Sequence, residues 1–132
     1  MLENLVRQYL EKNLPGTEEN FEFDAIYGTV LDIDDGTFKI HIEPRENKAW
    51  FYCSLIKIPV RKREKFYQSL LVNQIFGELT KGAHFSLNME KQEVLLCLTV
   101  DISDKNFEKF DIQLTQFLES CWLWKTTFEQ WK

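Results

Sequence analysis

Two histidines, three cysteines and an acidic stretch near residue 32 are the residues most able to do chemistry. Asp32, Asp34 and Glu43 are spaced like carboxylates of a helix-flanked calcium-binding loop. Such a loop places glycine at its sixth position, but Gly36 stands fifth, and the flanking residues alternate in polarity as strands do. The pattern therefore favours an acidic hairpin turn over a calcium site.

Histidine and cysteine could supply a base and a nucleophile, but none of them stands in a recognisable motif. His41 and His84 each fall on the polar side of a predicted strand. Cys53, Cys97 and Cys121 are widely spaced among apolar neighbours, which is typical of reduced thiols that serve as small hydrophobic residues. We expect no catalytic residue, no metal and no cofactor, although a cysteine–histidine pair assembled by folding stays open here.

The densest positive charge lies in residues 57–65. Aromatic residues at 50–52 precede it, and cations beside aromatic rings can contact phosphates and stack on bases. The formal net charge of −5 opposes nucleic acid binding, because that binding depends on a positive surface. A small nucleic-acid-binding module remains the alternative interpretation of this cluster. Its cations would be Lys57, Arg61, Lys62, Arg63 and Lys65.

Length and composition indicate one soluble domain over residues 1–132. The chain is 44% hydrophobic and 14% aromatic, so it can bury a core without disulfides or a structural metal. No stretch approaches the roughly 20 apolar residues of a membrane span, and the N-terminus does not look like a signal peptide. We expect a cytoplasmic protein that makes no membrane contact.

Apolar spacing predicts the order α-β-β-β-α-β-β-α and hence an α+β fold. Helices are predicted over 2–14 and 62–76, and a long closing helix follows a cap at Ser103 or Asp104. Asp35-Gly36 predicts a hairpin turn, because glycine accepts positive φ without steric cost. The predicted strands are 27–34, 37–43, 49–58, 83–89 and 93–100.

The third predicted strand is apolar on both faces, although a small antiparallel sheet usually has one wet face. Phe51, Cys53 and Leu55 share one face. Either helices cover both faces, or one face is a protein-binding surface or dimer seam. The residues of the second face are Trp50, Tyr52, Ile56 and Ile58.

The element order and several short motifs resemble the class I type III secretion chaperones, the Tir-chaperone-like family. The motifs are LLVNQIFG at 70–77, TKGA at 80–83, FSLN at 85–88, and Phe117-Leu118-Glu119 followed by Trp124 on the closing helix. The resemblance extends from the first helix to Trp124. It departs from the family at Gln74, where Asn is usual, so a hydrogen bond made there needs a longer side chain.

The resemblance implies a twisted antiparallel sheet with three helices and a small acidic homodimer without enzymatic activity or ATP. Such chaperones bind the N-terminal chaperone-binding segment of a secreted effector in extended form and keep it soluble for secretion. The segment lays apolar side chains in surface grooves and sometimes adds a strand to a sheet edge.

By the same resemblance, two sets of residues are expected to contact partners. The dimer seam would lie around the second helix and the fourth and fifth strands, at Leu71, Ile75, Phe76, Phe85, Leu87 and Leu96. The effector would bind the first helix and the first three strands, at Leu5, Val6, Tyr9, Leu31, Ile33, Phe38, Ile40, Phe51 and Cys53.

Overall fold

A computed structural model of the chain describes residues 1–34 and 36–131, except for the side chain of Phe76. Its elements confirm the predicted order and fold class. The helices are α1 (Leu2–Asn13), α2 (Arg63–Asn73) and α3 (Phe107–Phe128), with short 3-10 helices at Thr17–Asn20 and Ile75–Gly77. The strands are β1 (Thr29–Ile33), β2 (Phe38–Arg45), β3 (Lys48–Lys57), β4 (His84–Asn88) and β5 (Glu93–Asp101).

The five strands form one antiparallel sheet in the order β1-β2-β3-β5-β4. The chain returns from β4 to insert β5 beside β3, so β1 and β4 lie at the two edges. An edge strand leaves half of its backbone groups without a neighbour in the sheet. The two edges are therefore the places where another chain can meet this sheet through its main chain.

One face of the sheet packs against α3, and α1 packs on α3 in turn. Phe51 meets Phe110 and Phe117 of α3 edge-on or tilted, with ring centroids within 5.8 Å. Tyr9 of α1 lies edge-to-face with Phe110, and its hydroxyl shares a 3.0 Å hydrogen bond with Thr115. Each such buried side chain contributes about 1.5–3 kcal/mol, which makes this contact the principal stabilising layer.

The turn between β2 and β3 is shorter than the predicted loop over 44–48. Pro44 and Arg45 already pair with Ala49 and Lys48, and Glu46 turns the chain with a φ of 56°. Pro44 lies beyond Ile42, the last residue of β2 that pairs with β1. The N–H that proline lacks would therefore have had no hydrogen-bond acceptor in β1. The hairpin before β2 contains Gly36 at a φ of 87°, while Asp35 lies outside the described residues.

Two helix ends differ from the predictions. The cap of α3 is Asn106, whose side-chain oxygen accepts a 3.1 Å hydrogen bond from the Lys109 N–H. The predicted caps precede Lys105, and the left-handed φ of 54° at Lys105 prevents the helix from starting there. Helix α2 ends at Asn73 instead of residue 76, because the chain tightens into the 3-10 helix Ile75–Gly77.

Candidate protein-binding surfaces

The face of the sheet opposite α3, which we term the open face, carries a concave apolar surface. Tyr52, Leu95 and Cys97 are half-buried there, and Trp50 is 43% exposed. They line a cavity of about 520 Å³, with His84, Ser86 and Thr99 at its rim. Of the two explanations for the apolar excess in β3, the structure therefore supports a face that is available for binding.

Polar contacts hold the aromatic side chains of the open face in place. The Arg45 guanidinium pairs with Glu43 at 2.7 Å and lies 4.6 Å above the Trp50 ring. The Tyr52 hydroxyl donates to Glu43, and the Tyr52 ring stacks on His41 at 4.5 Å. Burial raises the pKa of Tyr52 to about 12 and lowers the pKa of His41, so both side chains are neutral at pH 7.

The β1 edge has unpaired backbone groups. Gly28 exchanges two 2.8 Å hydrogen bonds with Asp24, which lies on the outer side of β1. Backbone groups two and four residues further along a strand point the same way, so those of Val30 and Asp32 face outward. Among the residues that the structure describes, Val30 and Asp32 have no backbone partner on that side. This edge can accept another strand.

A groove runs beside this edge, and we term it the β1 groove. One cavity of about 290 Å³ lies between β1 and the end of α1, with Leu10, Leu14, Phe21 and Leu31 in its lining. A second cavity, of about 580 Å³, shares Asn20, Thr29 and Val30 with the first and continues past Tyr27. A strand added to the edge would therefore have apolar surface beneath its side chains.

Exposed apolar side chains also gather around α2 and β4, and we term them the α2 patch. Only Phe66 and Leu70 of α2 are buried, where Phe66 meets Phe128 and Trp131 of the C-terminal region. Six other apolar residues described in this region are 39–64% exposed, namely Leu71, Val72, Ile75, Leu79, Leu87 and Met89. A concentration of exposed apolar residues of this kind is typical of protein interfaces.

The β4 edge beside the α2 patch is capped by a side chain. The Phe85 N–H donates a 2.7 Å hydrogen bond to the side-chain oxygen of Gln74. Thr80, which is fully buried, donates from its hydroxyl to the Ala83 carbonyl just before the strand. The start of β4 is thus partly closed to strand addition.

Residues 8–125 match the model of the Tir chaperone protein (CesT) family. The chain belongs to this family of chaperones. The match covers most of the chain and confirms the resemblance drawn from the motifs around Gly77 and Trp124. A search of curated protein sequences found no match.

Solved structures share the CesT-family fold. The ExsC-ExsE complex contains a chain with a TM-score of 0.73 and 16% identity, over 95% of this chain and 91% of that one. A chain of the HopA1-SchA chaperone-effector complex has a TM-score of 0.64 and 14% identity, over 92% of this chain and 97% of that one. YbjN, a putative transcription regulator from E. coli, has a TM-score of 0.67 and 14% identity, over 96% of this chain and 90% of that one. At these identities the likeness establishes the fold alone.

The structure buries eight of the nine residues expected to bind the effector, and their part in binding stays a prediction. Ile33 is half-buried, and Leu31 lines the β1 groove although it is only 6% exposed. The α1 residues pack toward α3, and the strand residues face α3, so the chain's own helices already cover them. The buried members are Leu5, Val6, Tyr9, Leu31, Phe38, Ile40, Phe51 and Cys53.

The six residues expected at the dimer seam divide between surface and core. Leu71, Ile75 and Leu87 belong to the exposed α2 patch. Phe85 and Leu96 are buried under Trp124 and the rest of α3, because they occupy the core side of β4 and β5. The side chain of Phe76 lies outside the described residues. The seam itself stays a prediction.

Of the residues considered for catalysis or metal binding, the structure brings one cysteine–histidine pair together: His84 of β4 lies opposite Cys97 of β5, and both line the open-face cavity. Cys53 and Cys121 are buried and Cys97 is half-buried, and all three are free thiols. Burial raises the pKa of Cys97 and Cys121, which disfavours the nucleophilic thiolate. Across residues 1–34 and 36–131, no group of three His, Cys, Asp or Glu side chains could hold a metal ion.

The nucleic-acid alternative requires the basic cluster and the aromatic residues to lie together, and the structure separates them. Lys57 and Trp50 stand at opposite ends of β3, roughly 23 Å apart along the strand. Phe51 is buried in the core, so it cannot stack on a base. The CesT-family match does not favour this alternative either.

The described part of the chain contains no helix that is long and apolar enough to cross a membrane.

Sequence reasoning missed the two features that distinguish the sheet edges. It did not single out Val30 or Asp32, because edge position depends on where β5 inserts. The departure from the usual Asn at Gln74 was a usable signal, since Gln74 makes the hydrogen bond that caps Phe85. The lack of lysine and arginine in residues 13–38 was a second signal in the sequence.

Proposed function

We propose that this protein is a type III secretion chaperone that binds the N-terminal segment of a secreted effector in extended form, without catalysis. The observation that carries the proposal is the match of residues 8–125 to the CesT family. The HopA1-SchA chaperone-effector complex supports it, because a chain of that complex has the same fold. The segment stays unfolded and covered until it is secreted.

In this proposal the effector segment adds a strand to the β1 edge. The outward backbone groups of Val30 and Asp32 hydrogen bond with its main chain, which requires no particular side chains. Apolar side chains of the segment enter the β1 groove, next to Leu31 and Ile33. The open face, with Trp50, supplies a second apolar surface for the rest of the segment.

A second copy of the chain covers the α2 patch in this proposal. An interface related by two-fold symmetry uses the same surface on both copies, so a self-complementary apolar patch suits it. Leu71 and Ile75 would lie near its centre, since both point away from the core of their own chain. The capped start of β4 favours side-chain packing over strand pairing at this seam.

Co-expression with tagged protein in the native host, followed by pull-down and mass spectrometry, tests the proposal. We expect a dimer by light scattering that carries the N-terminal region of one secreted protein. Val30→Pro should weaken capture about tenfold, because it removes an outward N–H without breaking the ladder to β2. Val30→Thr keeps that N–H and serves as the control. Recovery of no secreted protein would refute the proposal.

A further inference from the structure

Negative charge is concentrated in the part of the chain that forms the β1 edge. Residues 13–38 contain seven acidic residues and no lysine or arginine. The remaining 106 residues contain 14 acidic and 16 basic residues, so the net charge of −5 arises from this segment alone. An exposed segment of one sign creates a local potential that attracts ligands of the opposite sign.

Three of these carboxylates line the β1 groove. Glu22 and Asp24 belong to the larger cavity, and Asp32 belongs to the smaller one. All three are exposed, and none of them has an ion-pair partner within the described residues. The Asp24 carboxylate accepts backbone hydrogen bonds from Tyr27 and Ile26, which lower its pKa and keep it charged.

We propose that the segment bound at the β1 edge alternates lysine or arginine with apolar residues. Side chains of a strand point alternately to the two faces of a sheet. On one face the added strand would meet Leu10, Leu14 and Phe21, which favours apolar side chains.

On the other face it would lie beside Val30 and Asp32, which alternate with the buried Leu31. Lys39 of β2 lies opposite Asp32 on its far side but forms no ion pair with it, so the Asp32 carboxylate stays available to the added strand. This inference rests on the proposed function and names the chemistry of its ligand.

The same charge argues against the other occupants of this edge. A second copy paired through its own β1 would bring two unpartnered Asp32 carboxylates and two acidic loops together. Nucleic acid and anionic lipid would be repelled for the same reason. A cationic extended polypeptide is therefore the occupant that the groove and its charge favour.

Two blocked twelve-residue peptides test the inference on the full-length protein. One alternates valine with lysine, and the other alternates valine with glutamate. We expect the valine–lysine peptide to bind, to shift the amide resonances of Val30 and Asp32, and to lose affinity as salt rises. Equal binding of both peptides, or binding without those shifts, would overturn the inference.

Charge-removing variants give the matched comparison. Glu22→Gln with Asp32→Asn should weaken the valine–lysine peptide about tenfold. The control, Glu90→Gln with Glu119→Gln, removes the same charge at exposed positions away from the groove and should change affinity less than about twofold. Thermal melting of each variant verifies folding. An equal loss in both variants would mean that net charge acts instead of the groove.

Capture of secreted protein separates this inference from the proposed function. If wild type and the Glu22/Asp32 variant capture a secreted protein equally well, the charge inference fails and the chaperone function stands. If wild type captures none while the valine–lysine peptide still shifts Val30, the chaperone function fails and the groove chemistry stands.

Discussion

The two edges of the sheet differ in what they leave unpaired. At the β1 edge, Val30 and Asp32 present free backbone groups beside an apolar groove with an acidic rim. At the β4 edge, the Gln74 side chain accepts a hydrogen bond from the Phe85 N–H, and exposed apolar side chains lie around the strand. One edge is suited to main-chain pairing with an extended ligand, and the other to side-chain packing against a folded surface. A single small sheet can thus serve two partners without competition between them.

The largest expected effect comes from charging the α2 patch. Leu71→Asp with Ile75→Asp should weaken dimerisation by at least about 100-fold, since each buried Leu or Ile contributes about 1.5–3 kcal/mol to such an interface. Light scattering across a dilution series measures this change. Ile112→Asp, on an exposed part of α3, is the control. An unchanged dimer would show that the α2 patch is not the dimer interface. It would also contradict the assignment of the β4 edge to side-chain packing against a folded surface.

The next effect is the loss of the β1 edge through Gly28→Ala. A β-carbon at Gly28 would lie 1.9 Å from the Ile42 carbonyl oxygen, and the φ of 72° adds backbone strain. We expect the free energy of unfolding to fall by about 3 kcal/mol. Gly16→Ala has a φ of 94° but open space around it, so it should cost only about 1 kcal/mol. Urea unfolding of both variants separates the clash from the strain.

A smaller effect is expected when the β4 edge is uncapped. Gln74→Met leaves the Phe85 N–H without its acceptor and should cost about 1–2 kcal/mol. Gln74→Glu keeps an oxygen acceptor and is the matched control. Hydrogen exchange at Phe85 should accelerate in the first variant only. If both variants exchange at the wild-type rate, the two edges do not differ in the way described.

The smallest expected effect is a pH dependence of local stability in the loop that precedes β1. Backbone hydrogen bonds from Tyr27 and Ile26 lower the pKa of Asp24 below 3.8. Its stabilising contribution is therefore complete above about pH 4 and is lost as the pH falls through the lowered value. The protection factors of the Ile26 and Tyr27 amides, corrected for the intrinsic pH dependence of exchange, should fall in acid, while Asp24→Asn should remove that change. The uncharged Gln74–Phe85 hydrogen bond should not respond over this range.

The sequence by itself determined the element order, the family and most of the strand faces. These follow from local periodicity, because side chains repeat every two residues in a strand and about every 3.6 in a helix. The exception is the end of β3, where a register shift between Ser54 and Ile56 places Ile56 opposite the buried Val94 and turns it away from the face of Trp50 and Tyr52.

Phe117 and Trp124 of the closing helix lie in the core and Leu118 is half-buried, since this helix has one apolar stripe. Leu71, Ile75 and Leu87 are exposed, and their place in a dimer seam stays a prediction.

The tertiary structure alone decided which face is core and which strands are edges. Alternation places Phe51 and Trp50 on opposite faces of the sheet but does not say which face is buried. The packing of α3 decides this, because it buries the face of Phe51 and leaves Trp50 exposed. Likewise, the free backbone groups of Val30 and the capped N–H of Phe85 depend on β5 inserting between β3 and β4. Such long-range pairing brings together residues far apart in the chain, and no local pattern encodes it.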